Sequence, residues 1–356
     1  MFRNFKQLDY LVFGRGSLKQ LSDIIRPHRK PGQPMVFIID HFFEGKTLPD
    51  SLGQENDDVL IFADVTDEPK TSYIDTITDT LKSQCGSVSG IIGIGGGSTM
   101  DIAKAVSLMM GNPGKAHEYQ GWDLVKNPGV YKVGIPTISG TGAEVSRTCV
   151  LTGPTRKLGM NSDFTPFNQI VLDPELIHNV PANQRFYTGM DCYIHCIESL
   201  QGTFINTFSR AVGEKSLELC QEVFLHKKQW DAESDDKLMM ASYLGGMSIA
   251  YSQVGVAHAV SYGLGFLLGT KHGVGNCVVF DKLQDYYPEA VKEFKQMVKQ
   301  NNIEIPQGIC KGLSEDEYNT MIDVSLGMVP LWENALGKDW KTKITREKLR
   351  TLYEQF

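Results

Sequence analysis

The chain has no Cys-x-x-Cys pair and an odd total of seven cysteines, which gives neither a zinc-finger pattern nor a closed disulfide framework. Free thiols in a reducing compartment fit this usage, and a cytoplasmic location is expected. The chain also lacks a long run of Lys and Arg, and its net charge is -7, which argues against a nucleic-acid footprint. No apolar leader opens it: Met1-Phe2-Arg3-Asn4-Phe5-Lys6-Gln7 has no signal-peptide core. The most apolar later stretch, about Val254 to Thr270, carries His258, Ser261 and Tyr262 and is too short and broken to span a bilayer. Histidine is scarce too, with eight in 356 residues, so the places where it falls are informative.

Three of those eight stand in apolar, small-residue surroundings. Asp191 and His195 lie four apart in Gly189-Met190-Asp191-Cys192-Tyr193-Ile194-His195, a spacing that puts both side chains on one helix face. His258 sits in Gly255-Val256-Ala257-His258-Ala259, and His272 in Lys271-His272-Gly273-Val274-Gly275. Taken singly, each histidine reads as an ordinary core residue. Taken together they are costly to bury unpaired, and one carboxylate with three imidazoles suits Fe²⁺ or Zn²⁺. Cys192 and Cys196 are offset from the Asp191 and His195 face and read as packing residues.

The length suggests two domains of ordinary size. In the first half, the runs Met35-Val36-Phe37-Ile38-Ile39, Val59-Leu60-Ile61-Phe62 and Gly90-Ile91-Ile92-Gly93-Ile94 read as buried parallel strands. Helical patterns at Thr71 to Ser83 and Thr99 to Met110 alternate with them. The expectation is an α/β, doubly wound, Rossmann-like dinucleotide-binding domain over residues 1–180. From about Asn183 long helical patterns dominate, so residues 181–356 are expected to form an all-α metal-binding, catalytic domain.

A glycine-rich turn, Gly93-Ile94-Gly95-Gly96-Gly97-Ser98-Thr99-Met100-Asp101, follows a strand and opens a helix. Glycines let a backbone approach a pyrophosphate at a helix N-terminus. Ser98 is expected to cap that helix and Asp101 to close a capping box, although the pattern departs from Gly-x-Gly-x-x-Gly and equally suits a plain tight turn. A second loop, Pro136-Thr137-Ile138-Ser139-Gly140-Thr141-Gly142-Ala143-Glu144, adds hydroxyls that suit a nicotinamide or its phosphates. Asp40, ending the strand at Val36 to Ile39, is placed either to accept from an adenosine ribose, disfavouring a 2′-phosphate, or to cap the following turn.

In their order along the chain these segments, with Val171-Leu172-Asp173-Pro174-Glu175-Leu176 and the fourteen-residue interval from His258 to His272, resemble the iron-containing, or group III, alcohol dehydrogenase family. The resemblance implies that Asp191, His195, His258 and His272 are metal ligands. It implies that Gly96, Gly97, Ser98, Thr137 and Thr141 contact NAD(P), with Gly95 and Asp101 in the same loop and Lys157 near the cofactor. It further implies an active site in a cleft between the two domains. One position departs from the family pattern: many members carry a second histidine four residues after the third ligand, and this chain has Tyr262, readable as a proton relay or as a packing tyrosine. The compact length and the segment Pro330-Leu331-Trp332-Glu333-Asn334-Ala335-Leu336-Gly337-Lys338-Asp339-Trp340 resemble a branch that oxidises the C8 primary hydroxyl of 3-deoxy-manno-octulosonate for lipopolysaccharide sugar synthesis, with NAD(P) or dioxygen as acceptor.

The chemistry expected is oxidation of a primary alcohol to an aldehyde at a Lewis-acidic metal. Arg147, Lys157 and Lys271 are candidates to meet a substrate carboxylate. A dehydroquinate synthase-like metalloenzyme and a noncatalytic nucleotide-binding sensor are the alternatives; the first calls for a different ligand set, and intact ligands argue against the second. The expected partners are a small alcohol or sugar acid and a second copy of the chain in a homodimer, with neither nucleic acid nor membrane.

Overall fold

The computed structural model describes residues 6–227 and 229–356, so the leaderless reading of Met1–Gln7 falls largely outside the described residues. Two compact units emerge, Met1–Ile138 with Ala143–Asn179, and Ser139–Gly142 with Val180–Phe356.

The first unit runs β1 (Tyr10–Phe13), α1 (Leu21–Ile25), β2 (Met35–Asp40), β3 (Val59–Ala63), α2 (Thr71–Cys85), β4 (Gly90–Gly95) and α3 (Gly97–Gly111). It continues with β5 (Gly121–Trp122), β6 (Tyr131–Pro136), β7 (Thr148–Thr152), β8 (Lys157–Asn161) and β9 (Gln169–Leu172). Six strands form a parallel sheet in the order β1-β9-β6-β4-β2-β3. Strands β2 and β4 lie inside it with both faces covered, Met35 through Ile39 being fully buried, whereas the run Val59–Phe62, expected as a buried strand, forms the edge strand β3, where only one neighbour pairs with it and Leu60 is exposed. Phe37, Ile39, Ile92, Ile94, Val133 and Val171 share one core with Leu21 and Ile25. Helix α2 turns Ile74, Ile77, Thr78 and Leu81 inward, the helical period read in the sequence. A three-stranded sheet, β5-β8-β7, holds the β7–β8 hairpin.

The second unit is helical, with no strand among its described residues. Its helices are α4 (Ala182–Gln201), α5 (Thr207–Gln221), α6 (Ala232–Tyr251), α7 (Val256–Leu268), α8 (His272–Phe280), α9 (Pro288–Gln300), α10 (Glu315–Leu326), α11 (Val329–Leu336), α12 (Trp340–Lys343) and α13 (Arg346–Tyr353). Capping boxes at Asn206 and Ser314 start α5 and α10. The loop Ser139–Gly142 packs on α4 and α6 through glycines: Gly140 has φ +143°, and a Cβ there would lie 1.7 Å from the Thr188 carbonyl oxygen. Gly142 N–H donates to Ser242 Oγ at 3.3 Å. Among the described residues, no helix is long and apolar enough to cross a membrane.

Candidate metal centre and dinucleotide loop

Helix α4 presents Asp191 and His195 one turn apart, α7 presents His258, and α8 begins at His272. One donor atom from each of these four residues lies within 4.8 Å of all the others. Asp191 Oδ1 is 3.6 Å from His195 Nε2, 3.4 Å from His258 Nε2 and 3.6 Å from His272 Nε2. Close helix packing makes this convergence possible. A Cβ on Gly273 would meet the Tyr187 carbonyl oxygen at 2.9 Å, so glycine lets the start of α8 press against α4. Asp191, His195 and His258 are buried, whereas the His272 side chain keeps 30% exposure and marks the open side.

The donor set fits a divalent cation. Asp191 Oδ2 and His195 Nδ1 are buried without a hydrogen-bond partner, although a carboxylate stripped of water is expensive unless a positive charge compensates it. Burial pushes the Asp191 carboxyl up, but the three surrounding histidines outweigh it and hold the group well below the ordinary carboxylate range. Burial lowers the His195 ring, against the pull of Asp191. Burial also acts to lower His258, but Glu198 and Asp191 override it and raise the ring to about 9.

Two residues complete the centre that ligand spacing alone did not mark. Glu198, two turns beyond Asp191 on the same face of α4, sits with Oε2 2.6 Å from His258 Nδ1 while its Oε1 accepts from Ala257 N–H at 2.6 Å. A carboxylate there holds the proton on Nδ1 and leaves the Nε2 lone pair facing the other ligands. Asn276, one turn after His272 on α8, donates from Nδ2 to Asp191 Oδ1 at 2.6 Å. Both carry the helical offset from a ligand that picked out His195, a signal too common for a carboxylate or an amide to single them out. Tyr262, one turn after His258, is half-buried, with its ring edge-on to His272 at 6.2 Å between centroids.

In the first unit the glycine turn links the end of β4 to the start of α3, where the first backbone N–H groups have no intrahelical partner. Ser98 does not cap this helix: α3 begins one residue earlier, with Gly96 in the cap position and no side-chain cap bond. The capping box expected of Asp101 is likewise absent, because Asp101 lies a full turn into the helix. Its Oδ2 accepts from Val150 N–H at 3.0 Å, tying α3 to β7, and burial pushes its carboxyl up to about 7 against the pull of Lys104. Thr137 N–H donates to the Gly95 carbonyl at 2.9 Å and so stands beside the turn. Thr141 belongs to the Ser139–Gly142 loop of the second unit.

Asp40 ends β2 and accepts from Phe42 N–H at 2.9 Å, the capping role considered for it. Lys157 is buried, with Nζ 3.2 Å from Glu68 Oε2, rather than carrying a solvent-facing charge. Arg147 is engaged by Asp163 at 2.8 Å and by Asp123, which removes it as a receptor for a substrate carboxylate.

Residues 9–174 match the family model described as iron-containing alcohol dehydrogenase, and residues 185–325 match the C-terminal model of the Fe-containing alcohol dehydrogenase family. An NAD-dependent methanol dehydrogenase of Bacillus methanolicus is 29% identical over 277 residues, covering 75% of this chain and 71% of its own. A sulfoacetaldehyde reductase of Bilophila wadsworthia is 31% identical over 274 residues, 74% of this chain and 69% of its own. Among solved structures, an alcohol dehydrogenase from Oenococcus oeni shares the fold with a TM-score of 0.83 at 19% identity over 99% of both chains. A sulfoacetaldehyde reductase from Bifidobacterium kashiwanohense, solved with NAD⁺, does so with a TM-score of 0.78 at 21% identity over 99% of this chain and 98% of its own. Matches to both halves of the family, in order along the chain, mean that this protein belongs to the iron-containing alcohol dehydrogenases and is a metal-dependent alcohol dehydrogenase.

Proposed function

We propose that the enzyme oxidises a primary alcohol to its aldehyde, with a hydride passing from the carbinol carbon to NAD, and that Asp191, His195, His258 and His272 hold the divalent ion. The observation that carries this reading is the convergence of one donor atom from each of the four residues within 4.8 Å, at a buried carboxylate whose second oxygen, Oδ2, has no hydrogen-bond partner. When bound, the ion supplies Lewis acidity, which lowers the pKa of the alcohol and favours the alkoxide.

The chain's own residues do the rest. Asp191 offsets one of the ion's two charges, so the centre keeps a single positive charge for an incoming alkoxide. Glu198 keeps His258 in the ligating tautomer. Gly95, Gly96, Gly97 and Ser98 offer the N-terminal amides of α3 to the pyrophosphate, with Thr137 beside them. Asp40, at the end of the neighbouring strand, still has Oδ2 to offer a ribose hydroxyl. Tyr262, edge-on to the partly exposed ligand His272, is the residue assigned in this reading to pass the hydroxyl proton outward. Lys157 and Asp101 have partners of their own, Glu68 and Val150, and are left out of the contact set.

The narrower substrate, the C8 hydroxyl of 3-deoxy-manno-octulosonate, calls for a cation to hold the sugar acid's carboxylate. Of the three candidates Arg147 and Lys157 are already paired, which leaves Lys271, beside the ligand His272, so the proposal is drawn at primary alcohols, with the octulosonate as the sugar-acid member of the assay panel.

The test is an assay of short primary alcohols and the octulosonate with NAD⁺, NADP⁺ or dioxygen alone, on the wild type, Asp40→Ala and Tyr262→Phe. NADH formation is expected in the wild type. Asp40→Ala is expected to weaken NAD⁺ about tenfold, the loss of one charge-assisted hydrogen bond, while gaining on NADP⁺. Tyr262→Phe is expected to lower turnover with metal content unchanged. Aldehyde formation that needs dioxygen and ignores both dinucleotides would overturn the hydride reading.

A further inference from the structure

We propose that Asn276 is a fifth donor to the metal, turning its carboxamide oxygen to the ion, and that this donor favours five- or six-coordinate Fe²⁺ over four-coordinate Zn²⁺. The inference rests on the metal centre described above.

The Asn276 side chain is fully buried. Its Nδ2 lies 2.6 Å from Asp191 Oδ1, 3.0 Å from His258 Nε2 and 3.3 Å from His272 Nε2, which are three of the four donor atoms. The carboxamide therefore spans the triangular face made by those three residues, leaving His195 as the fourth corner. At its other end, Oδ1 accepts from Ser261 Oγ at 2.5 Å.

The NH₂ group points its protons into the space that these three atoms enclose, and a dication there would face them. Half a turn about χ2 exchanges the NH₂ for a carbonyl oxygen of nearly the same size, replacing that repulsion with attraction. Ser261 accommodates either orientation. It donates to Oδ1 in one; in the other it accepts from Nδ2 while its own proton turns to the His258 carbonyl oxygen, 3.2 Å away. Without the ion the NH₂ faces Asp191 and is satisfied there; with it, the turned amide is satisfied by Ser261 and offers the ion an oxygen.

The consequence lies in coordination number. Four protein donors alone suit tetrahedral Zn²⁺, whereas an added oxygen brings the count to five before any alcohol arrives. An ion that accepts six donors then has room for the substrate oxygen.

The test uses Co²⁺, whose visible ligand-field bands are far more intense in four-coordinate than in five- or six-coordinate sites. Asn276→Leu keeps the size and branching of the side chain, shuts water out of the same space and removes both polar atoms. The wild type loaded with Co²⁺ is expected to show weak bands, and Asn276→Leu intense ones. The ratio of Zn²⁺ to Fe²⁺ affinity is expected to rise about tenfold or more in the same variant. Asn276→Asp, which keeps an oxygen donor, is expected to retain the weak bands. A Leu variant with the wild-type spectrum and ratio would overturn the proposal, as would intense bands in the Asp variant should the Leu variant not fold. Co²⁺ that stays bound with an unchanged spectrum in His195→Ala would instead retire the metal centre itself.

Discussion

A His258→Ala variant is expected to lose its tightly bound metal and at least about a thousandfold of its turnover, since a Lewis acid supplies several kcal/mol of stabilisation and each 1.4 kcal/mol is a factor of about ten. The loss goes beyond one ligand. Without the imidazole, Glu198 keeps its bond from Ala257 N–H on Oε1 but loses the His258 partner on Oε2, deep in the unit. A buried carboxylate that loses its partner is costly, so the melting temperature of the helical unit falls as well. Dinucleotide binding is expected to survive, because the glycine turn belongs to the other compact unit. Elemental analysis, turnover and calorimetric NAD⁺ affinity on one preparation separate these effects. Full metal content with ordinary turnover would remove His258 from the site.

Glu198→Gln is expected to cut metal affinity about 10- to 100-fold, the range typical of a residue that orients a ligand rather than binding the ion. The substitution preserves shape and alters only donors and acceptors. Glu198 accepts from Ala257 N–H on one oxygen and meets His258 Nδ1 with the other, each at 2.6 Å. A glutamine has one oxygen for the two. If the oxygen keeps Ala257, the new NH₂ faces Nδ1 and drives the proton to Nε2, which blocks the lone pair that the ion needs. If the oxygen keeps His258, the NH₂ confronts the backbone N–H. Competition titration with a chelator reads the loss, and wild-type affinity in the variant would show that the tautomer is held by something else.

The ligand set is legible in the sequence because its signals are local. Asp191 and His195 are linked by helical spacing, and the small residues around His258 and His272 announce the close packing that brings them together. Glu198 and Asn276 carry the same helical offset from a ligand, but a carboxylate and an amide on a helix are so common that spacing alone gives no reason to pick them. Only the tertiary approach of α7 to α4, and of α8 to both, shows what they touch. The inner strands were legible because the runs at 35–39 and 90–94 are apolar and buried, whereas the run at 59–62 forms the edge strand β3, with Leu60 exposed, and was legible from its apolar character alone. Ser98 and Asp101 illustrate the opposite case. The capping-box spacing is present in the sequence, yet the glycines let α3 start at Gly97, one residue before the serine could cap it. The β7–β8 hairpin escaped because its strands are short and only partly buried, with the Gly153-Pro154 turn as its one strong local mark.

The metal centre is tested most directly by anaerobic titration of the metal-stripped wild-type chain with Fe²⁺, following proton release and NADH-forming activity in the same samples. Glu198 and Asp191 raise His258 to about 9 despite its burial, so without the ion its ring carries a proton at pH 7 that must leave before Nε2 can ligate. The prediction is one ion per chain, proton release as the ion binds, and activity that returns in proportion to the ion bound. Apparent affinity is expected to climb with pH up to about 9 and to level off above it. Full activity in the stripped chain, or Fe²⁺ uptake with neither proton release nor pH dependence, would contradict the account.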